Sequence, residues 1–264
     1  MTRAIVLAGG LGTRMGSLTA DRPKHLLTVA GEPFIAHQLR WLAAHGVEEV
    51  VLATCFRAEQ FEPELGDGRA LGLRLSYAVE PEPLGTGGAL RHALGALGEG
   101  PAREAVVVVN GDLFTTHDLG AQAAAMAAAP DAEVVLHLRT VGDASAYGSV
   151  VADGDGRVHA FVEKSPDPPS REVNAGTYVV RRRVLAAIPA GRPVSLEREV
   201  FPRLVEDDVV RAYREQADWI DVGTPEALER VRAVVDGQIG RRDRETRRAS
   251  GGVTGVSPEL DPQT

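Results

Sequence analysis

Lysine is nearly absent from this chain. Among 264 residues there are 29 basic side chains, and only Lys24 and Lys164 are lysines. Alanine, glycine and arginine are abundant, as the codon bias of a GC-rich genome produces. Such a bias exchanges lysine for arginine wherever a surface charge suffices. It cannot do so where a compact ammonium on a flexible stem is required, so the positions of the two survivors bear on chemistry. Cysteine is scarcer still. Cys55 cannot form an internal disulfide and offers no zinc cluster, which fits a reducing cytoplasm. Its place near the end of an apolar run predicts a core residue. Positive charge is in deficit, with 37 acidic residues and a net charge of −8. The whole chain thus has no electrostatic reason to coat nucleic acid or an anionic membrane. No apolar run approaches the roughly 20 residues that cross a bilayer. The opening Met1–Leu7 stretch reaches Gly9-Gly10 too soon for a secretory signal. His25, His37, His45, His92, His117, His137 and His159 show no metal-ligand spacing. These absences predict a soluble cytoplasmic globular protein without nucleic-acid or membrane partners.

What is present is an alternation of short apolar runs with amphipathic stretches. Strands are expected at 4–8, 49–54, 73–79, 105–109 and 133–139, with helices at 34–45, 87–97 and 121–129. Continuous apolar strands alternating with helices argue for a mostly parallel sheet covered on both faces. Beyond about residue 140 short strands follow at 148–152, 158–163 and 174–180, the first two joined by an Asp153-Gly154-Asp155-Gly156 turn. Ser195 caps a helix through about Val205, with Glu197 and Glu199 in its first turn. Thr224-Pro225 starts another over 226–235. From Gly237 apolar periodicity is lost, and an arginine-rich stretch leads into a Ser/Gly/Pro tail. The expected division is a catalytic body over 1–236 and a flexible tail over 237–264.

The first loop is Leu7-Ala8-Gly9-Gly10-Leu11-Gly12-Thr13-Arg14. It fits neither the dinucleotide G-x-G-x-x-G spacing nor a P-loop, which needs Gly-Lys-Ser/Thr. Glycines after a buried strand nevertheless expose backbone N–H groups, and Arg14 offers a bidentate fork for phosphate oxygens. Pro23-Lys24 follows about ten residues later. Further along come Glu80-Pro81-Glu82-Pro83-Leu84-Gly85-Thr86-Gly87-Gly88, then Asn110-Gly111-Asp112 at the end of a buried strand, where open α/β sheets bind ligands. A carboxylate there can hold Mg²⁺, which binds through one or two carboxylates plus substrate phosphates.

Gly-Gly-x-Gly-Thr-Arg followed by Pro-Lys resembles the signature of the sugar-1-phosphate nucleotidyltransferases, or nucleotide-sugar pyrophosphorylases. The resemblance spans about residues 3–236. It implies an α/β fold with a Rossmann-like, mostly parallel mixed sheet flanked by helices. It also implies that Leu7, Ala8, Gly9, Gly10, Gly12, Thr13, Arg14, Lys24, Glu80, Gly85, Thr86, Asn110 and Gly111 hold the nucleotide. Tyr147, Gly148, Glu163, Lys164, Asn174 and Gly176 then hold the sugar phosphate, Glu163 at hydroxyls and Lys164 at the phosphate. Asp112 and Asp221 become the Mg²⁺ ligands, a pairing implied by the resemblance and not by spacing. Arg14, Lys24, Asp112 and Lys164 carry the catalytic roles. Many relatives have proline at the positions of Ser17 and His25. Glu197 faces the site or serves as a helix-start charge.

The implied reaction joins an NTP to a sugar 1-phosphate, giving an NDP-sugar and pyrophosphate. Its motifs look closest to guanylyltransferases acting on heptose or mannose 1-phosphate and to relatives using cyclitol phosphates, so GTP is favoured. Thymidylyl, cytidylyl and adenylyl transfer stay open, as does a homodimer. A non-catalytic ligand-sensing paralogue predicts loss of Arg14, Lys24, Asp112 or Asp221, and all four are present. A glycosyltransferase usually needs Asp-x-Asp, which Asn110-Gly111-Asp112 does not supply.

Overall fold

The computed structural model describes residues 2–250. Its first part comprises β1 (Thr2–Leu7), the short pair β2 (Thr28–Val29) and β3 (Glu32–Pro33), α1 (Phe34–Ala44), β4 (Val47–Thr54), α2 (Phe61–Leu65), β5 (Arg74–Val79) and α3 (Gly85–Ala96). Next come β6 (Ala105–Asn110), β7 (Leu113–Thr115), α4 (Leu119–Ala128) and β8 (Val134–Thr140). The rest is β9 (Gly148–Ala152), β10 (Val158–Glu163), β11 (Glu172–Arg181), α5 (Arg182–Ala187), α6 (Phe201–Glu206), β12 (Val210–Arg214), β13 (Trp219–Asp221) and α7 (Pro225–Ser250).

Nine strands form one mixed sheet in the order β10-β9-β11-β6-β1-β4-β5, with β8 also paired to β11 and β12 to β8. The half containing β6, β1, β4 and β5 is parallel throughout. Strand β11 then runs antiparallel to β6 and leads into antiparallel pairing with β8 and β9. The central strands β1 and β6 carry unbroken apolar runs at Ala4–Leu7 and Ala105–Val109 because both faces are covered, whereas the edge strand β5 alternates buried and exposed residues. Ile5, Val106 and Val108 face one core cluster, and Ala4, Val6, Val107 and Val109 face the other. Helix α1 supplies Ile35, Leu39 and Leu42 to the second cluster, each fully buried and each stabilising by roughly 1.5–3 kcal/mol relative to exposure. A third cluster joins Met15, Phe34, Phe114, Ile220 and Val222 to Leu228 and Val231 of α7. It pins the first loop and β13 under one helix.

Three expectations change. Ser195 does cap the following turn, accepting from the Arg198 N–H, but residues 196–200 form a π-type turn before α6 begins. Pro202 accounts for the break, since it has no N–H to continue the ladder. Helix α7 does not stop at Val235 but runs to Ser250, through the arginine-rich stretch. Its first turns are nucleated by buried Leu228, Val231 and Val235, and no proline interrupts it before Pro258. Residues 251–264 of the expected tail lie outside the described residues. Cys55 is near a strand end as expected but is only half-buried, on a cavity wall.

Candidate active site

The parallel strands end at a cleft with two compartments that share Asn110 and Asp112. The first, of about 340 Å³, is lined by Leu7, Gly9, Gly10, Lys24, Glu80, Gly85, Thr86 and Asn110, with His25 and Cys55. Gly9 passes so close to Glu80 that a Cβ would stand 3.0 Å from its Oε1. Glu80 is buried, and its Oε2 accepts from the Leu84 N–H at 2.9 Å. Burial pushes its carboxyl up, against the pull of that hydrogen bond. Gly12 sits in the left-handed region at φ 65°, and its carbonyl accepts from the Met15 N–H and the Thr19 hydroxyl, closing the loop.

At the junction, buried Lys24 donates to Asp112 Oδ2 at 2.6 Å. Burial pushes the Asp112 carboxyl up, but the charge and hydrogen bond of Lys24 outweigh it and hold it below the usual range. His25 is buried beside this pair. Desolvation first, and then Lys24, brings its imidazole to about 3, so it is neutral at physiological pH. Asp221 arrives from the far end of the chain through a specific ladder. Strand β13 pairs antiparallel with β7, setting Asp221 opposite Leu113, and the Val222 N–H donates to the Asp112 carbonyl at 2.8 Å. Asp221 Oδ1 is buried with no partner. Burial and then the charge of Asp112 raise the Asp221 carboxyl. An unpaired buried carboxylate oxygen facing a second carboxylate fits a divalent cation held by two aspartates and substrate phosphates.

The second compartment, about 570 Å³, gathers all six expected sugar-side residues, Tyr147, Gly148, Glu163, Lys164, Asn174 and Gly176. Arg14, Glu197, Trp219 and Asp221 complete its wall. The geometry demands glycine twice. A Cβ at Gly148 would meet Phe161 at 2.8 Å, and one at Gly176, where φ is 76°, would meet Leu113 at 2.4 Å. The register shift of β11 between Asn174 and Tyr178 creates this bend, an irregularity of the kind that re-aims side chains beside sites. Asn174 is locked in it, accepting from the Gly176 N–H and donating to the Tyr178 hydroxyl. Lys164 holds a left-handed φ of 48°, with its Nζ 3.6 Å from Glu163 and its N–H bonded to the Tyr147 carbonyl. Burial first, and then Glu197, raises Glu163 against the pull of Lys164.

Some expected residues act from behind the cleft. Ala8, Gly12, Thr13 and Gly111 line neither compartment. Gly111 instead allows close approach, since a Cβ would stand 2.6 Å from the Leu7 carbonyl oxygen. The Arg14 guanidinium lies against Gly223, beside Asp221, and so faces the second compartment and not the first, where it is expected among the nucleotide residues. The Thr86 hydroxyl donates to Glu197 and accepts from the Leu196 N–H, leaving no proton for a nucleotide. The sequence reading assigns no role to Trp219, yet it walls the second compartment, edge-on to Tyr147 at 5.4 Å. No local signal could have found it, because its contact is made by the β7–β13 ladder.

Comparison with known proteins agrees with this geometry. The nucleotidyl transferase family model matches residues 3–236. The mannose-1-phosphate guanylyltransferase of Mycobacterium tuberculosis is 45% identical over 225 residues, covering 84% of this chain and 61% of the relative. The mannose-1-phosphate guanylyltransferase catalytic subunit beta of Drosophila melanogaster is 36% identical, covering 85% and 60%. The chain thus spans about three fifths of the length of these curated relatives. Among solved structures, HddC from Yersinia pseudotuberculosis complexed with GMP-PN is 27% identical with a TM-score of 0.74, covering 89% of this chain and 100% of that one. A putative glucose-1-phosphate thymidylyltransferase from Bacillus anthracis, 22% identical with a TM-score of 0.79 over 89% of this chain and 95% of that one, shares the fold. A cleft with two compartments meeting at Asp112, on a sheet matched nearly end to end by the family model, places this chain in the nucleotidyl transferase family.

Proposed function

We propose that this chain transfers a guanylyl group from GTP to a sugar 1-phosphate, mannose or heptose 1-phosphate first among them, releasing pyrophosphate. The carrying observation is the junction, where one cavity holding the loop glycines and Glu80 meets another holding Glu163 and Lys164 at the Lys24–Asp112 pair. The names of the mannose-1-phosphate guanylyltransferase relatives support the base and sugar classes. The chemistry of Glu80 supports guanine. A buried carboxylate accepts from the N1–H and 2-amino group of guanine, whereas adenine offers an acceptor at N1 and would be repelled.

In the reaction, a phosphate oxygen of the sugar 1-phosphate attacks the α-phosphorus in line. The bond from that phosphorus to the α,β-bridging oxygen breaks, and pyrophosphate leaves from the opposite side. The nucleophile is already an anion, so no general base is needed. The neutral His25 is consistent with that. The protein's part is positioning and charge neutralisation. Lys164 orients the attacking phosphate, Lys24 offsets charge at the α-phosphate, and the loop amides at Gly9 and Gly10 take the leaving phosphates, while Arg14 stands on the side of the incoming sugar phosphate. Asp112 and Asp221 would hold Mg²⁺, which when bound supplies further neutralisation of phosphate charge. A matrix of four NTPs against mannose, heptose and glucose 1-phosphates, read by pyrophosphate release, tests the assignment. GTP with mannose or heptose 1-phosphate is the expected productive pair. Absence of release from every pair would favour the sensing paralogue.

A further inference from the structure

Thr86 stands in the first compartment and Glu197 in the second, and one hydrogen bond joins them. The Thr86 hydroxyl donates to Glu197 Oε2 at 2.7 Å and accepts from the Leu196 N–H at 2.9 Å. The Ser195 hydroxyl donates to the same carboxylate oxygen at 2.9 Å. Each hydroxyl has a single proton, so both are committed to Glu197. The backbone reinforces the link. The Val194 carbonyl accepts from the Gly87 and Gly88 N–H groups, and the Val194 N–H donates to the Leu84 carbonyl. Gly85 has φ 69°, and a Cβ there would stand 2.6 Å from the Val194 oxygen. Backbone and side-chain hydrogen bonds thus hold the 84–88 loop against the 194–197 segment.

A helix-start role does not explain Glu197. The Ser195 hydroxyl already accepts from the Arg198 N–H, and Glu199 Oε1 accepts from the Ser195 N–H at 2.9 Å. Those two residues cap the turn. Among the described residues no protein group donates to Glu197 Oε1, and the side chain lines the sugar compartment. Glu163 lines the same compartment, and the two carboxylates oppose each other's charge. Hydroxyl donors from a sugar ring relieve that opposition.

We propose that the Thr86–Glu197 hydrogen bond couples the two compartments. Nucleotide held by the 84–88 loop sets Glu197 for the hydroxyls of the acceptor sugar. Acceptor binding then tightens the nucleotide by the same factor, as linkage requires. Thr86 is the positioning residue in this scheme, acting through Glu197, and the scheme rests on the proposed assignment of the two compartments. The test measures dissociation of a GTP analogue with a methylene bridge between its α and β phosphates, in Mg²⁺, with and without saturating mannose 1-phosphate. In the unaltered protein the sugar phosphate is expected to tighten the analogue by about 5-fold or more, the lower end of usual couplings. Thr86→Val, which keeps the shape and removes the hydroxyl, should bring the ratio near one, and Thr86→Ser should restore it. Glu197→Gln gives an independent reading if Thr86→Val does not fold, and its ratio should also fall toward one. A ratio of one in the unaltered protein overturns the coupling, and so does an unchanged ratio in folded Thr86→Val or Glu197→Gln. Pyrophosphate release is measured alongside. Turnover with no change in ratio counts against the coupling alone, whereas binding without any turnover counts against the proposed reaction while the ratio still decides the coupling.

Discussion

The two lysines show how strongly single residues are constrained here. Lys24 is buried at the junction, where arginine would not serve equally, whereas Lys164 is exposed and lines the second compartment beside Glu163. Lys24→Ala is expected to lower kcat by about 100-fold or more, a figure set below the roughly 10³–10⁵ of an arginine finger at a transferring phosphoryl group. Lys24→Arg keeps the charge, but its planar fork cannot occupy the space of one ammonium 2.6 Å from Asp112. Its turnover, read by pyrophosphate release, should fall well below that of the unaltered protein, and near-normal turnover would remove Lys24 from the proposed chemistry. Asp221 makes the opposite compromise. Its carboxyl titrates higher in the fold than in the open chain, because burial and then Asp112 disfavour its charge. The folded state therefore holds the proton more tightly. Stability is lost as pH rises from the ordinary carboxylate range through the raised value. Asp221→Asn should thus raise the melting temperature of the metal-free protein at neutral pH while reducing turnover. A lower melting temperature would show that Asp221 is satisfied by the protein alone.

At the scale of elements, glycines and short ladders place the chemistry more than helices do. The bend in β11 sets Asn174 and Gly176 against the cleft, with φ at Gly176 in the left-handed region and no room for a side chain. Gly176→Ala is expected to cost about 1–3 kcal/mol, the usual range for such strain. It should also raise KM for the sugar phosphate more than KM for the nucleotide, because Gly176 lines only the sugar compartment. Denaturant titration and substrate-varied kinetics check the two parts, and equal effects on both KM values would argue against the division of the cleft. The 196–200 turn shows the same economy, with Ser195 and Glu199 capping it and Glu197 left for the cavity.

For the whole molecule, buried imidazoles set the acid limit. His25 and His117 are each depressed to about 3, His25 chiefly by burial and then Lys24, His117 chiefly by burial and then His137. His117 and His137 stack at 4.0 Å inside the protein. An open chain protonates these groups near their ordinary 6.5, so folding loses stability as pH falls from that value toward 3. Each group at pH 5 corresponds to a loss on the order of 2 kcal/mol. Thermal unfolding between pH 7 and 5 should show a falling midpoint, and His117→Gln should shrink that fall. A midpoint indifferent to pH in this window would mean the rings are solvated.

Much of this was legible in the linear sequence. The buried strands at 105–109 and 49–54 are continuous apolar runs, helix 34–45 has its periodicity, and the loop motifs identify the family from residue types within a few positions of each other. Local pattern suffices there because strand, helix and glycine-loop preferences are properties of short segments. The six residues expected on the sugar side fall in one compartment. Other features were not local. Strands β7 and β13 have three residues each, too few for any period, yet their pairing brings Asp221 to Asp112 and Trp219 to Tyr147. Cys55 reads as core by its strand and lies on a cavity wall by its sheet position. Thr86 reads as a nucleotide contact by its motif, and its proton belongs to Glu197, 111 residues away. The sequence by itself determined which segments fold and which residue types the loops bring to the cleft. Only the tertiary structure decided which carboxylates share a charge and which hydroxyl protons are already committed. Those depend on distances of a few ångströms between segments that no local preference relates.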